Sequence, residues 1–293
     1  MPDGSIRIIG TSAMQFMLQG FDDLYTRTHP GTRFTLQLKG GYIALPQLTY
    51  GLTAVTPMAR EVTTVELAPY QKIVGEDPLI IRVAHGTVSS QTRTAPLAIY
   101  VNKANPILKL TVNQLSRIFS AGAQQGDVTR WGQLGLSGEW KDRPIHTVGT
   151  PEASGFGSYM VRHVTGGRAF VPGFTALLSS AEIVKAVGED VNAIGFCALD
   201  FATDQTRIVP LAVSAEKPGL TGTAKEVIDG TYPLDRYVFL FIRRAPGKPL
   251  DPFVREYLRI ALSRQGQQIV ASEPDGFLPL NATEVAEELS KLQ

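Results

Sequence analysis

The sequence is poor in the features that mark disulfide-linked, nucleic-acid-binding and membrane proteins. It contains one cysteine among 293 residues, so no disulfide can form within the chain. Lysine and arginine together number 28 and aspartate and glutamate 27, which gives a net charge of +1 and argues against a nucleic-acid or membrane-surface partner. Apolar runs stay short of the roughly 18 residues that a membrane-spanning helix needs.

Residues that would support catalysis or metal binding are also scarce. The histidines have no acidic or cysteine neighbour at metal-ligand spacing; they are His29, His85, His146 and His163. The Gly-x-Ser-x-Gly elbow of serine hydrolases is absent, and GFGSYM lacks the third glycine of a dinucleotide-binding loop. Cys197, within AIGFCAL, fits a small core residue of a buried strand. The sequence therefore predicts no catalytic residue, no metal and no cofactor.

The first ten residues, MPDGSIRIIG, do not form a signal peptide. They contain no cationic stretch followed by a long apolar core. Two alternatives remain open on this evidence, namely a cytoplasmic protein and an exported protein whose signal lies outside this sequence.

Strand and helix patterns alternate along the chain, which favours an α/β fold with a parallel sheet. The length of 293 residues exceeds the usual size of one core and favours two lobes. The apolar spacing near the C-terminus predicts one long helix from Leu250 to about Ser272. The polar stretch from Gly86 to Ala95 is interpreted as a crossover between lobes.

Three junctions share one pattern, in which a strand is followed by small or hydroxyl residues and then by a helix. They are Gly10-Thr11-Ser12, Gly40-Gly41-Tyr42 and Ala153-Ser154-Gly155. A helix N-terminus exposes unpaired N–H groups and about half a positive charge, so such ends can hold an anion without a lysine. A simple helix cap is the alternative interpretation of each junction.

The order of these segments resembles the phosphate-binding proteins of bacterial ABC transporters. The resemblance rests on the junctions above, on LAIYVNKANPILKLTVNQLSRIFSAG followed by RWGQLG, and on AIGF, YPLDRYVFLF and ALSRQGQQIVASEPDGFLPL. It implies an α/β, two-lobed periplasmic-binding-protein (Venus flytrap) fold, each lobe being a mostly parallel sheet flanked by helices. One lobe would comprise residues 1–85 and 235–293 and the other residues 86–234, with a ligand cleft between the lobes.

The resemblance also implies a set of ligand-binding residues. Carried over by motif, they are Thr11, Ser12, Ala13, Gly41, Tyr42, Val55, Thr56, Thr150, Ser154, Gly155 and Phe156.

This sequence departs from the family pattern at four of these places. Tyr42 stands where the second loop has a serine, and Val55-Thr56 stands where the third strand has Ser-Asp or Ser-Arg before its proline. Thr150 replaces an arginine, and Phe156 replaces a threonine. Because charge-assisted hydrogen bonds are about twice as strong as neutral ones, the predicted site is weaker in charge and more apolar than the family pattern.

The function that the resemblance implies is capture of phosphate or a related small oxyanion for a membrane ABC permease. One alternative is the same fold binding a larger, less charged organic ligand, and another is a signalling or protein-interaction module without a transport role. In each case we expect a binding protein and not an enzyme. The resemblance further implies a monomer that is periplasmic or secreted, with its signal peptide outside this sequence.

Overall fold

Strands and helices alternate along residues 4–88, 94–244 and 246–293, which are the residues described by the computed structural model. The strands are β1 (Ile6–Ile9), β2 (Phe34–Gln37), β3 (Val55–Met58), β4 (Leu79–Thr87), β5 (Leu97–Asn102), β6 (Leu110–Thr111), β7 (His146–Gly149), β8 (Thr175–Ala176), β9 (Ala193–Ala198), β10 (Thr206–Ile208), β11 (Leu211–Ala212), β12 (Tyr237–Ile242) and β13 (Phe277–Leu278). The α-helices are α1 (Gln15–Thr28), α2 (Ala44–Thr49), α3 (Thr64–Val74), α4 (Val112–Phe119), α5 (Gly155–His163), α6 (Ser180–Glu189), α7 (Ala224–Ile228), α8 (Pro252–Ala261), α9 (Arg264–Ala271) and α10 (Ala282–Ser290). Short 3₁₀ helices span Ser12–Met14, Gly41–Ile43, Trp131–Leu134 and Gly138–Trp140.

The chain divides into two units. Unit 1 comprises Met1–Thr87 and Arg236–Gln293, and unit 2 comprises Val88–Asp235. Residues 89–93 of the predicted crossover at 86–95 lie outside the described residues. Within the described ranges, no helix combines the length and the apolar character needed to cross a membrane.

The sheet of unit 1 has six strands in the order β13-β4-β12-β3-β1-β2. β1 pairs in parallel with β2 and with β3, whereas β12 pairs antiparallel with β3 and β4, and β13 pairs antiparallel with β4. The predicted mostly parallel sheet is therefore corrected to a mixed one. The reason is the order in which the chain passes through the units. The chain leaves unit 1 at the end of β4 and returns to it just before β12. Because β4 and β12 are neighbours in the sheet, they run in opposite directions.

Unit 2 contains a five-stranded sheet in the order β10-β5-β9-β7-β8. β7 pairs in parallel with β8 and β9, while β5 pairs antiparallel with β9 and β10. This sheet is mixed as well. The short strands β6 and β11 form a separate parallel pair.

The core of unit 1 covers both faces of its sheet. On one face, α1, α8 and α9 pack against the strands, and Phe21 of α1 meets Tyr257 of α8 edge to face at 6.5 Å. On the other face, α2 and α3 bury Leu48 and Tyr70 against the strands. Burying one large apolar side chain stabilises a fold by about 1.5–3 kcal/mol, so these helices are held by packing on a common sheet.

The predicted long helix near the C-terminus is wrong, because it consists of α8 and α9. Ser263 lies between them and caps α9 by accepting a hydrogen bond from the Gly266 N–H at 3.1 Å. A Cβ at Gly266 would lie 2.2 Å from the Ile260 carbonyl oxygen, so the tight junction requires glycine.

The core of unit 2 lies between α6 and the strands β5, β7 and β9. Cys197 of β9 is 0% exposed within this core, which confirms it as a small core residue. Burial raises the pKa of its thiol to about 12, so the thiol is not a reactive nucleophile at neutral pH.

Candidate functional site

The loops that follow β1, β2 and β3 meet at one edge of the unit 1 sheet, because the three strands are parallel. Backbone hydrogen bonds join the first loop to the second and to β3: the Gly40 N–H donates to the Gly10 carbonyl at 3.0 Å, and the Thr11 N–H donates to the Pro57 carbonyl of β3 at 3.1 Å. A Cβ at Gly10 would lie 2.4 Å from the Pro57 oxygen, so only glycine allows this approach. We call this region the unit 1 edge.

The first loop holds Thr11, Ser12 and Ala13 at the start of a helix. Thr11 is the N-cap, and its Oγ1 accepts a hydrogen bond from the Ala13 N–H at 3.3 Å. Met14 is fully buried and anchors the turn, while the Ser12 side chain is exposed. The predicted cap at this junction is confirmed, since the Ala13 N–H is satisfied by Thr11 and the Ser12 side chain stays exposed.

The second loop holds Gly41 and Tyr42, which begin the 3₁₀ helix that leads into α2. Gly40 before them has a φ of 113°, a conformation that favours glycine. Gly41 lies against Met58 at the end of β3, since a Cβ there would be 3.8 Å from the Met58 Sδ. The Tyr42 side chain is 84% exposed.

The third strand does not place Val55 and Thr56 as predicted. Val55 is the first residue of β3 and is buried in the hydrophobic core. Thr56 is 0% exposed, and its hydroxyl donates to the Ile9 carbonyl. The strand continues to Met58, so the residues that lie at the unit 1 edge are those that follow Met58. Val55 is therefore removed from the candidate set, and Thr56 stabilises the sheet.

Arg60 lies just beyond the end of β3 and was not among the predicted residues. Its Nη1 and Nη2 bind the two carboxylate oxygens of Glu66 at 2.9 and 2.5 Å. Its Cζ lies 5.3 Å from the centre of the Tyr42 ring, which is cation–π distance. Arg60 thus connects the second loop with the third. The sequence signals this ion pair through the Thr-x-x-Glu cap of α3, which positions Glu66.

Glu66 is ionised because its partners outweigh its burial. Burial raises the pKa of this carboxyl, but hydrogen bonds from Arg60 and from the Thr63 N–H, together with the Arg60 charge, lower the pKa to about 2. The same carboxylate completes a capping box at the start of α3, where the Thr63 Oγ1 accepts from the Glu66 N–H at 3.2 Å. The Arg60–Glu66 pair is thereby fixed to a helix end.

In unit 2, the loop after β7 leads through Thr150 to the start of α5. Ser154 is the N-cap, and its Oγ accepts a hydrogen bond from the Gly157 N–H at 2.9 Å. The Ser154 hydroxyl in turn donates to the Thr150 Oγ1 at 2.7 Å. The cap predicted at Ser154 is confirmed, and its hydroxyl proton is directed to Thr150. We call this region the unit 2 edge.

Gly155 and Phe156 occupy the first turn of α5, and both are half-buried. Gly157 follows at a close backbone contact, since a Cβ there would lie 2.0 Å from the Pro151 carbonyl oxygen. Glu152 in the preceding turn accepts the Phe170 N–H at 2.7 Å. The unit 2 edge thus offers hydroxyl and backbone donors next to a phenyl ring.

Comparison with known proteins identifies the family. A family model described as a PBP superfamily domain matches residues 2–265. The chain belongs to the PBP superfamily. The phosphate-binding protein PstS of Pseudomonas aeruginosa is 32% identical over 98% of this chain and 86% of its own. PstS of Bacillus subtilis is 24% identical over 99% of this chain and 85% of its own.

A solved structure supports the fold of this PBP superfamily member. The ABC-type phosphate transport receptor of Vibrio cholerae matches with a TM-score of 0.60 at 19% identity, over 94% of this chain and 99% of that one. At this identity the likeness shows the fold alone. The predicted family and the α/β periplasmic-binding-protein fold class are confirmed.

The donors that this PBP superfamily member offers are mostly neutral. Within the described ranges, no group of three or more histidine, cysteine, aspartate or glutamate side chains could hold a metal ion. At the unit 1 edge the structure gathers Thr11, Ser12, Ala13, Gly41 and Tyr42, and at the unit 2 edge it gathers Thr150, Ser154, Gly155 and Phe156. Hydroxyl and N–H donors at helix starts are suited to an oxyanion.

Proposed function

We propose that this protein is an extracytoplasmic solute-binding protein that captures phosphate or a related small oxyanion and delivers it to a membrane ABC permease. The observation that carries the proposal is the 32% identity, over nearly the whole chain, to a protein named phosphate-binding protein PstS. The helix starts at each edge carry donors of the kind that an oxyanion needs. This relationship favours an oxyanion over a larger organic ligand or a protein-interaction module.

The unit 1 edge suits an oxyanion because two helix starts open onto it. The first-turn N–H groups of a helix lack intrahelical acceptors, and the aligned peptide dipoles add about half a positive charge. The exposed Ser12 hydroxyl lies in the first of these turns, and Gly41 allows close backbone approach in the second.

The unit 2 edge suits an oxyanion through a relay of hydroxyl groups. The Gly157 N–H orients Ser154, and Ser154 donates to Thr150, which leaves the Thr150 hydroxyl proton to be donated elsewhere. Thr150 is 5% exposed. A donor fixed in this way loses little conformational entropy when it binds a ligand.

The proposal includes that the protein binds its ligand without transforming it. The hydroxyl of Ser154 is engaged with Thr150 and not with a general base. Relatives named as binding proteins and transport receptors support a role in capture, with a permease as the membrane partner.

A thermal-shift and calorimetry experiment tests the proposal. Phosphate, arsenate and sulfate are added to the full chain, with sodium chloride at matched ionic strength as the control. At about 100 times its dissociation constant, a ligand that binds only the folded state stabilises it by about 2.7 kcal/mol, which corresponds to a melting rise of about 5 °C. Absence of a shift and of a heat signal with all three anions would refute the proposal.

A further inference from the structure

The strand β2 is the last strand of the unit 1 sheet, and no strand of the described ranges pairs with its outer side. The Ile6 N–H of β1 donates to the Arg33 carbonyl at 2.8 Å, so the backbone groups of Arg33 point towards β1. Because these groups alternate in direction along a strand, those of Phe34 and Leu36 point outwards. Within the described ranges, they form no hydrogen bond with another residue.

A groove of about 600 Å³ runs beside this open strand, between β2 and α1. We call it the β2 groove. Its apolar wall consists of half-buried side chains at alternate positions, which are Phe34, Leu36 and Leu38. Its polar wall consists of α1 side chains, which are Gln15, Gln19, Asp22, Asp23 and Thr26. Because successive side chains of a strand point to opposite faces, a strand added to β2 would place every second side chain in this groove.

The polar wall of the β2 groove contains a buried carboxylate. Asp22 is 8% exposed, and its Oδ1 accepts a hydrogen bond from the Tyr257 hydroxyl at 2.8 Å. Among the described residues, none donates to its Oδ2. Burial raises the pKa of this carboxyl to about 7, and a cation beside it would favour the ionised form. Asp23 adds an exposed carboxylate, and none of the residues that line the groove is basic, so the groove favours a cationic side chain.

The ends of the open strand carry the opposite charge, since Arg33 and Lys39 are both exposed there. If a second copy of this chain paired with β2 in antiparallel fashion about Leu36, Arg33 of each copy would lie opposite Lys39 of the other. Parallel pairing about a two-fold axis would place each cation beside its own counterpart. Like charges directly opposite each other destabilise a strand pair, and lysine at an edge strand discourages self-association. The open strand therefore favours a different chain over a second copy.

We propose that the outer side of β2 binds an extended segment of a partner protein as an added strand, and that a lysine or arginine of this segment reaches Asp22 and Asp23 in the β2 groove. Backbone hydrogen bonds with Phe34 and Leu36 supply affinity, and the side chains in the groove supply specificity. The methylene stem of the basic side chain packs along the apolar wall while its charge meets the carboxylates. The proposal goes beyond oxyanion binding and uses none of the residues proposed to bind the oxyanion.

A peptide of sequence TITKTIT, blocked at both ends, tests the added strand. Its isoleucines and its lysine lie on one face of an extended chain, as the β2 groove requires. It is titrated into the full chain by calorimetry, and hydrogen exchange is followed by mass spectrometry. We expect binding together with slower exchange in residues 33–39, because new backbone hydrogen bonds protect amides that were open. Absence of both at about 1 mM peptide, where only dissociation constants well above that value escape detection, would refute the proposal.

Two altered peptides separate the charge from the backbone. TITETIT brings a carboxylate to two aspartates, and we expect it to bind at least about tenfold more weakly. TITKTIT with N-methyl groups on its third and fourth residues loses a backbone donor whichever way the added strand runs, and a loss of at least about fivefold is expected. Equal affinity of TITKTIT and TITETIT would refute recognition of a cation, and equal affinity of the N-methylated peptide would refute strand addition.

Variants of the full chain locate the contact. Asp22→Asn and Asp23→Asn are each expected to weaken TITKTIT binding by about three- to tenfold. Asp204→Asn, which changes an exposed aspartate of unit 2, is the control and should stay within about twofold. If Asp22→Asn fails to fold, Asp23→Asn decides together with TITETIT. Wild-type affinity in the folded aspartate variants would place the peptide elsewhere and overturn the proposal.

Other occupants of the β2 groove give distinct results. If N-acetyl-lysine methylamide binds as tightly as TITKTIT, the groove binds a small ammonium compound and not a strand. If the chain sediments as a dimer that TITKTIT dissociates, a second copy occupies the open strand. Either result overturns the proposal. The peptide experiments contain no phosphate, so a negative result in them leaves the proposed oxyanion binding unaffected.

Discussion

The unit 1 edge and the unit 2 edge present hydrogen-bond donors of different kinds. The first contains an arginine in a bidentate ion pair next to two helix starts. The second contains a relay of neutral groups from Gly157 through Ser154 to Thr150. The two edges therefore fix their donors differently, since one fixes a charge and the other fixes hydroxyl dipoles.

Each solution has a physical cost that the structure offsets locally. A charged donor bonds about twice as strongly as a neutral one, but it must be compensated when it is half-buried, and Glu66 does this. Hydroxyl groups need no counter-charge, but they rotate freely unless other bonds hold them. The Gly157 N–H holds Ser154 through the cap of α5, so backbone geometry takes the place of charge at this edge.

The largest expected effect comes from breaking the backbone geometry of the unit 2 edge. Gly157→Ala would place a Cβ 2.0 Å from the Pro151 carbonyl oxygen, and we expect it to lower the free energy of unfolding by about 3 kcal/mol. Gly41→Ala is the matched change at the unit 1 edge, where the new Cβ has ordinary contact with Met58 at 3.8 Å. There we expect a change below about 1 kcal/mol.

Urea unfolding followed by circular dichroism measures both glycine variants. Equal losses of stability in the two would contradict the view that backbone contact is tight only at the unit 2 edge.

The sequence predicts the helix starts well because caps are local. Thr11 and Ser154 each precede an apolar-periodic segment, and each accepts a hydrogen bond from a backbone N–H in the first turn of its helix. The bond depends on residues at most three positions apart, so it can be inferred from a short stretch of sequence.

Features that depend on distant residues could not be predicted in the same way. Strand direction depends on where the chain returns to the sheet, and apolar patterns do not encode it, so the sequence does not predict the antiparallel pairing of β12. The burial of Val55 and the pairing of Arg60 with Glu66 depend on where β3 ends. The residues carried over by motif identify the loops of the two edges. The position of Arg60, the charged residue of the unit 1 edge, is seen in the structure.

The second prediction uses pH to separate the charged edge from the neutral one. The pKa of Glu66 is about 2 in the folded chain and 4.5 as an ordinary carboxyl, so the unfolded state binds more protons between these values. The stabilisation from Glu66 is therefore fully present above about pH 4.5 and is lost as the pH falls towards 2. After screening, we expect this contribution to be about 1 kcal/mol.

Urea midpoints of the wild type and Glu66→Gln at pH 5 and pH 3 test this dependence. The difference between the two proteins should shrink at pH 3, whereas the difference between the wild type and Ser12→Ala, which removes no titrating group, should stay constant. A Glu66→Gln difference that grows as the pH falls would contradict the assigned direction.

An effect smaller than that of Gly157→Ala is expected from adding a hydroxyl to the neutral edge. Phe156→Thr places a donor in the first turn of α5 while leaving the Ser154–Thr150 relay unchanged. A net neutral hydrogen bond contributes about 0.5–1.5 kcal/mol, so phosphate affinity should rise by about two- to tenfold. Thr150→Arg is not combined with this substitution, because Thr150 is buried and bonded to Ser154.

Phe156→Leu is the control, since it replaces the ring by a smaller apolar side chain without adding a donor, and calorimetry should show no gain in phosphate affinity. Equal affinity in the threonine and leucine variants would mean that position 156 does not contact the anion.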